Sequence, residues 1–204
     1  HLGHSFPTRR SSDLARTREI VGIEALVRLY SSGVIVLPNQ FIPLAEETGL
    51  IIPIGEFVLK RACYDAKSLF DRGHAIPVSV NISAQQLQVQ SFLGMVKAIL
   101  GESGLEPSML ELEITEGVLV QDIDTTCETL SALRDMGVRI SVDDFGTGYS
   151  SLAYLKRFPL DVLKIDQSFV RTMLEDKSDA AIVATIINLA QVLNLEPRSE
   201  EHTS

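Results

Sequence analysis

The sequence predicts an α/β fold, and within that class an incomplete TIM-type (β/α)8 barrel with a mostly parallel sheet. Three observations carry the prediction. Short apolar runs alternate with longer amphipathic ones through the middle of the chain. The short runs are rich in Val, Ile and Leu and end in turn residues, as strands buried on both faces do. Polar residues close these runs: Glu24, Asn81, Glu113, Asp143 with Asp144, and Lys164 with Asp166. In a barrel such ends converge on one mouth, whereas an open doubly wound sheet spreads them along an edge. About five of the eight strands of a barrel are legible.

The expected strands run from Gly22 to Leu29, Ile76 to Ile82, Leu110 to Thr115, Arg139 to Asp143 and Asp161 to Ile165. Between them, Asn39 caps a helix to Thr48 that Gly49 terminates, and Pro53 opens one to Asp71 that ends at Gly73. Asp122 or Asp124 caps the run through Met136, which Gly137 ends, and Ser178 or Asp179 starts a helix reaching Leu195. Residues 15–196 therefore read as one partial domain. Residues 1–14 and 197–204 have no period of either kind and read as foreign-looking or disordered tails. Neither contains the apolar stretch of a secretory signal.

The chain has 204 residues, 45% of them hydrophobic, which is enough for a substantial core. It carries 18 Lys and Arg against 27 Asp and Glu, a net charge of -9. That balance excludes a nucleic acid polymer as partner, since counterion-release binding needs a basic face. A small phosphorylated ligand remains open, because a metal and one or two cations can meet its charge locally. Cys63 and Cys127 form no CxxC and read as buried filler, so a reducing, cytoplasmic compartment is expected. No apolar run approaches the ~20 residues of a membrane span, so no membrane contact is expected within this segment.

The stretch Val142 to Ser151 is the most informative one. Two adjacent carboxylates, Asp143 and Asp144, end an apolar run and lead straight into a loop with Gly146 and Gly148. Neighbouring anions repel, and both reach one small volume only around a cation, so divalent metal is expected there. On a regular strand the two point to opposite faces unless a bulge re-aims one. Glu24 is a carboxylate inside an apolar strand, which is costly unless it is paired or metal-bound. Arg28, two pleats on, is placed to meet a substrate phosphate. Asn81 offers the neutral oxygen that magnesium accepts beside carboxylates. Glu111 and Glu113 share one face of their strand, with Glu113 nearer the mouth. Glu116 lies beyond the strand end, where it can accept hydrogen bonds from the glycine loop. Lys164, inside an apolar strand, either pairs with a carboxylate or polarises a reacting oxygen.

Taken in order, EALVR at Glu24, NIS at Asn81, ELEITE, DDFGTGYSSLAYL and LKID resemble the EAL-domain family of bacterial cyclic di-GMP phosphodiesterases. The resemblance covers nearly all of the middle of the chain and implies a modified TIM barrel. It implies that Glu24, Asn81, Glu113, Asp143 and Asp144 hold one or two magnesium or manganese ions. It further implies that Lys164, Asp144 and Glu116 belong to the catalytic set, with Lys164 at the nucleophilic water. Arg28, Ser83 and Asp166 fall on the substrate side, Asp166 and Glu116 also supporting the site and its loop. The implied reaction is hydrolysis of one phosphodiester of cyclic di-GMP to linear pGpG. The alternative is a non-catalytic, cyclic di-GMP-binding regulatory EAL domain. A homodimer through the DDFGTG loop region and membrane anchoring through other regions are expected only of an intact parent.

Two departures from the family pattern matter. Leu29 stands where the family often has Trp. After Glu196, where the family continues into a strand ending in a glutamate-rich motif, this chain has Pro197 and the tail. Glu200 and Glu201 are not expected to substitute, because no strand is read before them. The 204-residue chain is accordingly expected to be inactive by itself.

Overall fold

A computed structural model describes residues 8–13, 20–31, 33–120, 122–146 and 155–199. Within it the chain divides into two compact units, His1–Leu110 and Glu111–Ser204.

The first unit opens with β1 (Thr8–Asp13), which pairs antiparallel with β2 (Ile20–Leu26). A hairpin of β3 (Leu29–Ser31) and β4 (Val34–Val36) follows. Next come helices α1 (Pro38–Glu47) and α2 (Ile51–Asp71), then β5 (Val78–Asn81), which pairs parallel with β2. Helices α3 (Ala84–Gln88) and α4 (Phe92–Ser103) complete it. The strands are apolar on alternate residues, so Ile23 and Ala25 of β2 and Val78 and Val80 of β5 are buried. Leu59, Ala62, Cys63 and Ala66 recur at helical spacing on α2 and form its inner face. Burial pushes the Cys63 thiol up to about 12, in keeping with its expected role as filler.

The second unit is a parallel ladder of β6 (Leu110–Thr115), β7 (Arg139–Phe145), β8 (Val162–Ile165) and β9 (Glu196–Ser199). Helix α5 (Ile123–Asp135) joins β6 to β7; the short α6 (Gln167–Thr172) and the longer α7 (Lys177–Val192) join β8 to β9. Every residue of β6 from Leu110 to Ile114 is buried, Glu111 and Glu113 included. That is the pattern of a strand covered on both faces.

All five predicted strands are present, with ends that differ by a few residues. Three helix starts differ from the sequence reading. Pro38, not Asn39, opens α1, with the Gln40 side chain accepting from the Leu37 N–H at 3.3 Å. Helix α2 begins at Ile51, two residues before Pro53. Asp176 caps α7, its carboxylate accepting from the Ser178 N–H at 2.7 Å.

The ends also differ. Thr8–Asp13, read as formless, is a strand, and so is Glu196–Ser199. The cause in both cases is an adjacent strand edge whose unpaired N–H and C=O groups recruit backbone irrespective of side chain. The argument that no strand precedes Glu200 is therefore overturned. Glu200 and Glu201 themselves lie outside the described residues, as do Thr147, Gly148 and the remainder of the loop to Tyr154.

Candidate functional site

In the first unit, Glu24 and Asn81 lie on neighbouring parallel strands, where Ala25 stands opposite Val80. Their side chains meet: the Asn81 Nδ2 group donates to Glu24 Oε1 at 2.8 Å. The structure thus brings together the carboxylate and the amide named from sequence, with the amide nitrogen, not its oxygen, facing Glu24.

Arg28 is placed differently from the expectation. β2 ends at Leu26, so Arg28 has left the strand, and its Nη1 donates to the carbonyl of Val27 at 2.8 Å. Strand alternation therefore does not carry Arg28 to the face of Glu24. Ser83 forms the N-cap of α3. Its N–H and Oγ both donate to Gln86 Oε1, at 3.1 and 3.2 Å, and its Oγ accepts from the Gln86 N–H at 3.4 Å. Gln86 is buried and lies against Gly55 of α2, where a methyl group would stand 1.9 Å from its Nε2.

The second unit holds the densest charge. The Lys164 ammonium on β8 bridges Glu113 Oε2 of β6 at 3.0 Å and Asp143 Oδ1 of β7 at 3.1 Å. Exposure of the three side chains is only 12%, 3% and 12%, which places the bridge in an environment where ion pairs are weakly screened. Of the two alternatives left open for Lys164, pairing with a carboxylate is the one realised.

Asp144 departs from a regular strand. The pairing of β7 with β8 shifts between Val142 and Phe145, and Asp144 takes a left-handed φ of 54°. The bulge re-aims its side chain, so the adjacent aspartates do not diverge to opposite faces. The Asp144 N–H donates to Asp143 Oδ1 at 3.0 Å. Its carboxyl is hydrogen-bonded to that of Asp166. Burial first, then the charge of Asp143, then Asp166 raise the Asp144 carboxyl to about 6, against the pull of Lys164. Asp166 is held below the ordinary carboxylate range. Burial opposes that shift, but hydrogen bonds from the Ser168 side chain and backbone and from Asp144 outweigh it. Beyond the strand end, Gly146, at φ 104°, donates its N–H to Glu116 Oε2 at 3.1 Å.

Sequence reasoning missed Ser168, which fixes Asp166 through the helix cap. The Asp-x-Ser spacing at the start of α6 was the available signal. It also assigned no partner to Glu111. That carboxylate is 2% exposed and accepts both Nη1 contacts of Arg198 at 3.0 Å, with Arg139 at 3.9 Å. Arg139 and Arg198 in turn hold Glu196. Glu111, Arg139 and Glu196 of this second cluster stand at or next to the N-terminal ends of their strands, while Arg198 stands opposite Lys164. In parallel barrels the N-terminal end is associated with stability and the other with chemistry.

The donor types suit a hard divalent cation: carboxylates from Asp and Glu and one amide. Asp143, Asp144 and Asp166 together carry more potential negative charge than Lys164 offsets, and after burial the charge of Asp143 is the next cause of the raised Asp144 carboxyl. Among the described residues, no three His, Cys, Asp or Glu side chains close on one point as a preformed metal cage does. Between Glu113 and Asp143 stands the Lys164 ammonium.

Comparison with known proteins identifies the family and the fold. The family model described as EAL domain matches residues 12–197. A bifunctional diguanylate cyclase/cyclic di-GMP phosphodiesterase, MucR of Pseudomonas aeruginosa, is 46% identical over 185 residues, 90% of this chain and 27% of that protein. The cyclic di-GMP phosphodiesterase NbdA of the same organism is 44% identical over 184 residues, 89% of this chain and 24% of that protein. The chain thus spans about a quarter of the length of these curated relatives. Among solved structures, the MucR phosphodiesterase in complex with cyclic di-GMP superposes with a TM-score of 0.90 at 43% identity, covering 96% of this chain and 80% of that one. The fold is accordingly the incomplete α/β barrel that the sequence predicts.

Proposed function

Since this chain belongs to the EAL-domain family, we propose that it carries the metal- and substrate-holding part of a cyclic di-GMP phosphodiesterase. The observation that carries the reading is the Glu113–Lys164–Asp143 bridge beside the bulged Asp144, at the chemistry-bearing ends of three parallel strands. The relatives named as phosphodiesterases and the cyclic di-GMP complex of a close structural neighbour support it.

In this reading Glu24, Asn81, Glu113, Asp143 and Asp144 are the ligands of magnesium or manganese. A bound divalent cation lowers the pKa of a water and screens the phosphate. Lys164 donates to the attacking water oxygen and keeps it in line with the phosphorus. Arg28 and Ser83 bind the substrate phosphates and trade their present backbone and capping partners for phosphate oxygens. Asp166 fixes Asp144, and Glu116 fixes the turn at Gly146. Water adds to one phosphorus as its bond to the ribose 3′ oxygen breaks; the leaving 3′ oxygen takes up a proton, and linear pGpG with a 5′ phosphate results. Pro197, Arg198 and Ser199 stand where the family has its glutamate-rich strand, whose carboxylate serves as general base or further metal ligand, so this substitution bears on turnover.

The test is equilibrium binding of cyclic di-GMP to the full chain with and without magnesium or manganese, followed by chromatography for pGpG. Metal-dependent binding that Asp143→Asn abolishes is the expected result. No binding under any metal condition would sink the reading. Binding unaffected by metal and by Asp143→Asn would favour the regulatory alternative. Formation of pGpG by the chain itself would show that the substitution at 197–199 is tolerated.

A further inference from the structure

We propose that Phe169 is a positioning residue for the Asp143–Asp144 pair, and that α6 fastens the bulge rather than merely joining β8 to α7. The inference rests on the proposed metal-ligand role of that pair. Helix α6 has six residues, none of them buried, so neither its own hydrogen bonds nor a core face accounts for it. It is tied to α7, where Thr172 Oγ1 donates to Asp179 Oδ2, and to β7 at two further points. Asp166, its cap, is hydrogen-bonded to Asp144. Phe169, three residues on and hence above Asp166 on the same helix face, lies against Gly146. A methyl group on Gly146 would stand 3.1 Å from Phe169 Cε2 and 3.1 Å from Ile186 Cδ1 of α7.

The backbone just after Asp144 is therefore held on several sides: by the Glu116 carboxylate on the Gly146 N–H, by the Phe169 ring and by the Ile186 methyl. That support is needed. A left-handed conformation is unfavourable for a non-glycine residue such as Asp144 and persists only where its surroundings over-determine it. Released, residue 144 would return to the extended conformation, in which successive side chains alternate faces. Asp144 would then swing away from Asp143 and Asp166. Phe169 thus decides whether the two carboxylates act on one side of β7.

The test uses the full chain and compares Phe169→Ala and Phe169→Leu with the parent protein. Amide exchange is followed at Gly146 and along β6, and manganese affinity is measured by electron paramagnetic resonance. In Phe169→Ala the Gly146 amide should exchange about tenfold faster while those of Leu112 and Ile114 keep their protection. Manganese should bind about tenfold more weakly, as when other groups that orient metal ligands are removed. Phe169→Leu should recover most of both properties, and it is the deciding variant if the alanine form does not fold. Unchanged exchange at Gly146, or equal acceleration of every amide in the unit, would overturn the proposal. If the parent chain takes up no manganese, the metal reading fails separately, and exchange at Gly146 still decides the role of Phe169.

Discussion

At the scale of single residues, the decisive group is Lys164. Its ammonium is the shared cation of Glu113 and Asp143, and all three side chains are nearly buried. Removing one member of such a set leaves charge without compensation, a loss usually larger than the net value of the intact pair. Lys164→Met should therefore destabilise the metal-free protein by about 3 kcal/mol, read as a lower urea midpoint with unchanged slope. A midpoint shifted by less than a third of that would mean water reaches the carboxylates. Residue identity was the legible part of this site. The polar residues at the ends of apolar runs could be named without coordinates, because a carboxylate or lysine in such a run demands a partner. The conformation of Asp144 was not legible, since a bulge depends on how β8 pairs beside it. Nor was the departure of Arg28 from the strand, which turns on where the β2 ladder ends.

At the scale of elements, β9 shows how far context overrides composition. Glu-Pro-Arg-Ser has low strand propensity throughout, yet Glu196–Ser199 pairs residue by residue with Val162–Ile165. Pro197 is tolerated because an edge strand has a side on which no N–H is required. Arg198 anchors the strand through the buried Glu111. Arg198→Ala should cost about 2–3 kcal/mol, less than complete isolation of that carboxylate because Arg139 remains nearby, and should raise amide exchange along β9 before β7. Acid should act in the same place. Glu196 has its carboxyl depressed: burial opposes the shift, but hydrogen bonds from Arg198 and Arg139 prevail. A depressed carboxyl contributes stability that is present above its unfolded value of 4.5 and lost as pH falls through the folded value. Protection of the β9 amides relative to their intrinsic exchange at each pH should accordingly fall below about pH 4.5, with a small amplitude because Glu196 is half exposed. Protection at pH 4 equal to or greater than that at neutral pH would contradict the assignment.

At the scale of the molecule, the fold class was legible because it rests on period and alternation, which the sequence carries directly. The hairpin of β3 and β4, the short α3 and α6 and both terminal strands were not, since each is too short for its own period to register. The surface carries one liability. Leu174 is 90% and Val192 78% exposed, and Val34, Leu44, Leu50 and Phe57 are also largely uncovered. Scattered apolar residues are ordinary, but this many large ones on a chain of 204 residues favour association. Light scattering coupled to gel filtration should show species larger than a 22.4 kDa monomer, and more of them at high salt, where the net charge of -9 is screened. A monodisperse monomer under both conditions would refute this. The backbone-driven pairing of β9 also has a consequence for splicing other sequences onto α7. The open edge of β8 will draft whatever peptide follows Leu195, so parity becomes the quantity that matters. Inserting one residue there would exchange Arg198 for its neighbours on the Glu111 side, whereas inserting two would keep the alternation in phase.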